Sequence, residues 1–285
     1  MITSICVATL FLASSLGDLP AVPEVPTFTT DNPDKYGYEI AEYADRYNTG
    51  WVDEIWQGRM ELFDSHGDSV QRHVLRMLLE GGEGDKSIVK FMSPAEIKGV
   101  AALTHEHPGT SDDNWLYLPA TKRVRRISGA NKTASFQGTE FTYEDLSTLD
   151  LGDFDWTFAE ESTLEKEGET IPVYVVEARP NYRDTGYSRL RIYYHRVNWR
   201  QERIEYFDKA GVHSKTSIAS GWQHMHGRFW RSFNQDMVNH QTGKRTSLSF
   251  DKVFLNLSLY TSQRTGKTRA NLNDEVFTTR ALEEN

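Results

Sequence analysis

Short turn-forming stretches recur along most of this chain and constrain its fold more than any other feature. They combine glycine with charged or polar residues, a composition that favours the tight turns between neighbouring antiparallel strands. The sequence therefore predicts a succession of β-hairpins. The stretches are DSHGD at 64–68, GGEGD at 81–85, KEGE at 166–169, DKAG at 208–211 and QTGK at 241–244.

Several segments between these turns place apolar residues at every second position, as half-buried strands do. We find no internal repeat and no low-complexity linker that would divide the chain, and single barrels and sandwiches reach its length of 285 residues. The sequence predicts one domain over residues 31–285, mainly β with a few helices. The positions expected to share a strand face are Trp56, Met60 and Leu62; Leu190, Ile192 and Tyr194; and Val253, Leu255, Leu257 and Leu259.

Two helical segments are predicted within this β-rich pattern. The first begins at Asn32 and Pro33, an N-cap residue followed by a first-turn proline, and ends at Asn-Thr-Gly, residues 48–50. The second is a single turn at 93–96, where Ser-Pro-Ala-Glu forms a capping box that Gly99 closes. The first helix carries a stripe at helical spacing, formed by Tyr36, Ile40, Tyr43 and Tyr47.

The N-terminus begins with an apolar run, ITSICVATLFLASSL, followed by the polar, proline-containing GDLPAVPEVP. This pattern is typical of a secretory signal peptide, so we expect cleavage of residues 1–17 and a flexible segment at 18–30. The run is shorter than the ~20 apolar residues of a membrane-spanning helix. The only cysteine, Cys6, lies within it. The exported chain would therefore have neither disulfides nor cysteine metal ligands.

The overall charge is acidic, with a net charge of −9. Affinity for a nucleic-acid backbone comes from clustered cations, so no nucleic-acid partner is expected. Against this background, one hairpin-like segment, DNWLYLPATKRVRRI at 113–127, places cations beside large apolar residues. These cations are Lys122, Arg123, Arg125 and Arg126.

Three segments carry a resemblance to a known family: FMSPAEIKG at 91–99, DNWLYLPATKRVRRI at 113–127 and SFQGTEFTYEDL at 135–146. RVNWRQERIEYFDKAG at 196–211 and VFTTRALEE at 276–284 extend it more weakly. Together they resemble the signature of a family of bacterial envelope proteins, the outer-membrane lipoprotein-sorting or LolA-like proteins.

The resemblance implies a strongly curved antiparallel sheet, an incomplete or half barrel closed on its concave side by helices, as in LolA and LolB. It also implies a periplasmic carrier of lipoproteins or other acylated molecules between the inner and outer membranes. Relatives are often encoded beside RND-type exporters. The implied partners are therefore acyl chains, an inner-membrane RND-type transporter and an outer-membrane acceptor, and no cofactor is expected.

A carrier of acyl chains needs a concave apolar surface that stays soluble when empty. We interpret the helical stripe as a lid over such a surface, with two hairpin aromatic residues as further contacts. Ordinary core packing of the tyrosines is the alternative. The ligand-binding candidates are Tyr36, Ile40, Tyr43, Tyr47, Trp115 and Tyr117.

The hairpin cations Lys122, Arg123, Arg125 and Arg126 have two interpretations. Guanidinium groups pair well with phosphate and carboxylate, so these residues could bind an anionic headgroup or an acidic partner protein. Alternatively, they protect an exposed edge strand against unwanted pairing.

Two further functions stand beside the carrier: a periplasmic adaptor of an RND-type exporter that carries no cargo, and a metal-dependent envelope enzyme. The enzyme would use two His-x-His pairs, since alternate strand residues point the same way, as the ligands of many metal sites do. No nucleophile or carboxylate pair stands out, so we predict neither catalysis nor a metal. The histidines concerned are His105, His107, His224 and His226.

Overall fold

The computed structural model describes residues 21–25, 32–259 and 272–283. Within these ranges the chain forms three α-helices and fifteen β-strands, and thirteen of the strands form one antiparallel sheet. The predicted fold class, mainly β with a few helices, is confirmed. The expected signal peptide at 1–17 lies outside the described residues, as does most of the segment at 18–30.

The helices are α1 Pro33–Asn48, α2 Tyr143–Leu146 and α3 Thr279–Glu283. The strands of the large sheet are β1 Asp53–Phe63, β2 Ser69–Leu79, β3 Lys86–Ser93, β4 Ala101–His105, β5 Asp113–Leu118, β6 Arg123–Ile127, β7 Phe154–Lys166, β8 Glu169–Pro180, β9 Tyr187–His195, β10 Gln201–Asp208, β11 His213–Ser220, β14 Asn234–Asn239 and β15 Arg245–Leu255. A separate ribbon contains β12 Gln223–Met225 and β13 Phe229–Arg231.

The large sheet is open, with β6 at one edge and β7 at the other, in the order β6-β5-β4-β3-β2-β1-β15-β14-β11-β10-β9-β8-β7. Each of the five predicted turns joins a hairpin: β1 to β2, β2 to β3, β7 to β8, β10 to β11 and β14 to β15. That prediction is therefore confirmed. The first and last strands, β1 and β15, pair with each other at the centre of the sheet.

The sheet is strongly curved, as the resemblance implied. Val89 of β3 and Trp156 of β7 line one cavity, although these strands lie nine positions apart in the sheet order. On a flat sheet, strands ~4.8 Å apart would separate them by roughly 40 Å. The sheet therefore curls around its main hydrophobic core as an incomplete barrel.

Residues 128–153, which we call the crossing segment, connect β6 to β7 and so run from one sheet edge to the other over the concave face. Phe136 stacks on Phe91 of β3 with ring centroids 5.6 Å apart. Farther along, the Glu140 N–H donates to the Thr246 hydroxyl of β15 at 2.9 Å. The segment SFQGTEFTYEDL lies within this crossing.

The second predicted helical turn, at 93–96, is present only as one isolated turn: the Ile97 and Lys98 N–H groups donate to the Pro94 carbonyl at 3.2 Å and 3.0 Å, and Ser93 still belongs to β3. Residues 94–99 form turns that return the chain directly from β3 to β4, and the Gly99 N–H donates to the Phe91 carbonyl at 2.8 Å. A capping box occurs instead at Thr142 and Asp145, where it starts α2.

The predicted strand face at Val253 to Leu259 is also shorter than expected. β15 ends at Leu255, and residues 257–259 form a 3-10 turn. The cause is the buried Asp53, whose carboxylate accepts from the N–H groups of Leu257 at 2.9 Å and Ser258 at 3.0 Å. These two bonds stabilise a turn at the end of the strand.

The outer face of the sheet is covered at one end by the C-terminal part of the chain. Phe277 and Leu282 are almost fully buried against Ile88 and Leu103. Over the ranges that the structure describes, no helix is long and apolar enough to cross a membrane.

Candidate functional site

A cavity of about 730 Å³ lies between the concave face of the sheet, helix α1 and the crossing segment. This volume is within the ~300–1,000 Å³ typical of small-molecule pockets. Part of its wall is aromatic: Trp56 and Phe250 pack edge to face with ring centroids 4.5 Å apart, and Trp156 and Tyr194 also line it. This aromatic part of the wall suits an apolar ligand group.

Helix α1 covers part of the cavity and lines it with two small side chains and with two polar ones, Asp45 and Asn48. Ala41 and Ala44 line the cavity from this helix. Both alanines are nearly fully buried in the main core. The small residues leave space beneath the helix that larger side chains would fill.

The predicted stripe on α1 does not line the cavity. Tyr36 packs on Phe158 and Tyr43 on Trp199, each with ring centroids 4.4 Å apart. Ile40 is completely buried. These contacts hold the helix against the sheet, so the stripe fixes the position of α1. The stripe members absent from the cavity wall are Tyr36, Ile40, Tyr43 and Tyr47.

Trp115 and Tyr117 lie on the outer face of the sheet, away from the cavity. They pack with Phe277 and neighbouring residues beneath the C-terminal part of the chain. Their neighbours on β5, Leu116 and Leu118, face the main core instead. The sequence showed two apolar faces on this strand but could not assign the inner one.

The four hairpin cations lie at the edge of the sheet. Arg123 and Arg125 are exposed on β6, and their cross-strand partners Leu118 and Leu116 place them on the concave side. Arg126 is on the other face, where it pairs with Asp113. Lys122 occupies the turn, with a φ of +50°. This edge position fits strand protection and also leaves the cations accessible to an anionic surface.

The structure gives each histidine of the two His-x-His pairs its own separate contact. His105 bonds through Nε2 to the Phe277 carbonyl at 2.8 Å, and His107 approaches Asp113 at 3.3 Å. His224 stacks on Trp230, and His226 bonds to the Leu255 carbonyl at 3.1 Å. Across residues 21–25, 32–259 and 272–283, no group of three His, Cys, Asp or Glu side chains could hold a metal ion.

Acidic side chains lie along one side of the cavity, a feature that the sequence analysis missed. Burial raises the pKa of Glu80 to about 7, although its carboxylate accepts from the Gly50 N–H at 2.8 Å. Burial likewise raises the pKa of Glu106 to about 7, although the Thr148 N–H donates a hydrogen bond of 3.0 Å to this carboxylate, which lowers the pKa. These groups come from separate loops, so no local motif marks them.

A buried ion pair fixes the crossing segment to the sheet. Asp145 accepts from Lys215 Nζ at 2.6 Å and from the Tyr187 hydroxyl at 2.6 Å. The Thr142 N–H donates to the same carboxylate at 2.7 Å. Next to it, Glu144 accepts from the Tyr182 hydroxyl at 2.6 Å. The acidic residues of the SFQGTEFTYEDL segment therefore hold the cover of the cavity in place.

The chain is similar to several known proteins over most of its length. A protein-family model whose description reads "uncharacterized protein" matches residues 83–284. An outer membrane lipoprotein-sorting protein domain from Vibrio parahaemolyticus is 31% identical, with a TM-score of 0.79, and the match covers 88% of this chain and 99% of that one. A DUF1329 family protein from Desulfovibrio piger is 25% identical, with a TM-score of 0.76 and the same coverage of 88% and 99%.

A LolA superfamily protein from Nitrosomonas europaea shares the fold, with 18% identity and a TM-score of 0.64 over 86% of this chain and 98% of that one. No curated protein matches the chain by sequence.

Proposed function

Because the chain belongs to the family of outer-membrane lipoprotein-sorting, LolA-like proteins, we propose that it is a periplasmic carrier of acylated molecules. The observation that carries this proposal is the aromatic-lined cavity of about 730 Å³ beneath α1 and the crossing segment. In the proposed mechanism, an acyl chain enters this cavity and is shielded from water while the protein diffuses.

The energetics of the cavity suit transfer between membranes. Burying each CH₂ group stabilises a bound chain by ~0.8 kcal/mol, so a segment of about ten carbons gains roughly 8 kcal/mol. Complete burial of a longer chain would hold it too tightly for release. The wall also contains polar groups such as Asp45 and Asn48. These limit the apolar surface and keep hand-over possible.

The proposed setting is the periplasm after removal of the signal peptide, with an inner-membrane RND-type transporter as donor and an outer-membrane acceptor. The role is binding without catalysis. An adaptor that carries no cargo is the alternative, and it would give the cavity no ligand to hold. Ligand binding therefore distinguishes the two functions.

Delipidated, folded protein is expected to bind a fluorescent acyl probe, and Ala44→Phe is expected to weaken that binding about tenfold or more. Ala44 lines the cavity from α1, so a phenyl group there occupies the space of several methylene groups. Fluorescence titration measures the dissociation constant. Displacement by an unlabelled acylated ligand shows that binding is reversible.

Ile40→Phe is the matched control, because Ile40 lies on the same helix and is fully buried but does not line the cavity. Overpacking there is expected to cost ~1–3 kcal/mol of stability and to leave probe affinity nearly unchanged. A monomeric, well-folded wild-type protein that binds no acyl probe would contradict the carrier function.

We further propose that the exposed hairpin cations meet an anionic membrane surface during hand-over. Arg123→Glu/Arg125→Glu is expected to weaken binding to phosphatidylglycerol-containing vesicles about tenfold or more, since each basic residue near such a surface contributes ~1 kcal/mol. The residual binding should depend less on salt. Vesicle co-sedimentation at several salt concentrations measures both effects.

A control for this reversal is Lys209→Glu/Lys244→Glu, which changes the net charge equally at exposed positions in two other hairpin turns. Equal loss of vesicle binding in both double variants would show a net-charge effect alone. Unchanged vesicle binding combined with a lower melting temperature in the Arg123/Arg125 variant would assign the cations to edge protection.

A further inference from the structure

Arg76 lies on the concave face of the sheet, in the wall of the cavity. On this face of β2, Arg76 lies between Val74 and Leu78, which both pack in the main core. Across the sheet it pairs with Trp56 of β1 and Val89 of β3. A guanidinium group therefore stands in an otherwise apolar row of side chains.

Arg76 differs from the other cations that line the cavity. Lys132, Arg200 and Arg231 each form an ion pair, with Asp112 at 3.4 Å, Glu202 at 2.5 Å and Glu54 respectively. Arg76 has no carboxylate within 4 Å among the described residues. Its Nε atom is buried, and no described group accepts a hydrogen bond from it.

This arrangement has a cost in the empty protein, located at the buried Nε atom of a side chain that is otherwise half-buried. A buried polar group without a hydrogen-bond partner loses its water without compensation, and the loss is larger when the group is charged. Burial lowers the pKa of Arg76, and only the more distant charges of Glu54, Glu106 and Asp85 oppose that effect. An anion entering the cavity would supply the contact that the protein itself does not.

We propose that Arg76 binds the anionic end group, a carboxylate or a phosphate, of a single-chain amphiphile whose hydrocarbon chain lies along the aromatic wall of the cavity. The fork of the guanidinium group matches both kinds of anion. This inference rests on the proposed carrier function and narrows it to cargo with a negative charge at one end. Trp56, beside Arg76, begins the apolar surface that the chain would follow.

The test compares three ligands of equal chain length in displacing neutral N-phenyl-1-naphthylamine at pH 7: dodecanoate, dodecyl phosphate and dodecanol. Arg76→Met is expected to weaken the binding of one or both anions about tenfold or more, since a hydrogen bond to a charged group contributes that much. Dodecanol affinity should change by less than about twofold. Loss for dodecanoate alone identifies a carboxylate ligand, and loss for dodecyl phosphate alone identifies a phosphate.

Arg59→Met is the control, because Arg59 is on the neighbouring strand β1 but pairs with Asp251 in an exposed contact outside the cavity. Arg76→Lys provides a second variant, which keeps the charge and should retain part of the preference for anions. Unchanged anion binding in Arg76→Met, or equal loss for all three ligands, would overturn the proposal. If dodecanol binds but Arg76→Met has no effect on any ligand, the Arg76 proposal fails and the carrier function is still supported. If none of the three ligands binds, both proposals fail.

Discussion

Replacing Lys215 with methionine is expected to lower the free energy of unfolding by about 3–5 kcal/mol. The Lys215 and Asp145 side chains are 8% and 0% exposed, so the substitution leaves a carboxylate buried without its cation. Methionine fills a similar volume, and the loss therefore reports on charge rather than on packing. Urea unfolding followed by tryptophan fluorescence measures the change.

Two further variants isolate this ion pair. Lys244→Met removes an exposed lysine in the turn between β14 and β15 and should change the free energy of unfolding by less than about 0.5 kcal/mol. Asp145→Leu/Lys215→Met removes both charges and should recover part of the loss, because no charge is then left unpaired. Recovery would be incomplete, since Tyr187 also donates to Asp145. A cost below about 1 kcal/mol for Lys215→Met would contradict this role.

Lowering the pH from 8 to 5 is expected to remove most of the destabilisation that the ionised carboxylates of Glu80 and Glu106 cause in the folded protein. Each has a folded-state pKa of about 7, above the ordinary glutamate value of ~4.3. Between these two values the folded protein binds more protons than the unfolded chain, so stability falls as the pH rises towards 7. Above that range the full cost of two buried carboxylates remains.

Both side chains are half-buried, so solvent screening reduces the effect of these shifts, and Glu80→Gln/Glu106→Gln should stabilise the protein at pH 8 by about 2 kcal/mol. This corresponds to roughly 4–8 °C in melting temperature, and the gain at pH 5 should be much smaller. Glutamine keeps an oxygen that can accept from Gly50 or Thr148. Thermal unfolding at both pH values measures the difference from the wild type. Glu83→Gln, an exposed change in the turn between β2 and β3, is the control. An equal gain at both pH values would contradict the titration of these groups.

The parts of the fold that the sequence predicted are those with local causes. Glycine-containing turns define the hairpins, and residues such as Trp56 and Ile192 follow the two-residue period of a buried strand face. The N-cap at Asn32 begins α1 as predicted, through two hydrogen bonds from backbone N–H groups to its side chain. Each of these features depends on a few adjacent residues.

The candidate site was less predictable because it forms where distant segments meet. The stripe on α1 correctly indicates burial, but other residues of the helix, Ala41, Ala44, Asp45 and Asn48, line the cavity. Trp115 faces outward because Phe277, far along the chain, covers that side of the sheet. Arg76 did leave a local signal, since it lies between the apolar residues Val74 and Leu78 on one face of β2, but Arg72 occupies the same face and gives the same signal.

The pairing of β1 with β15 has a consequence for the order of folding. Glu54 lies opposite Leu255, so the middle of the sheet joins strands from opposite ends of the chain. Contacts between residues so far apart in sequence form slowly, because a long loop must close before they gain any free energy. Until β15 has been synthesised, β1 and β14 remain unpaired edges that can join other chains. Premature termination before Arg245 should therefore yield aggregates rather than a smaller folded protein.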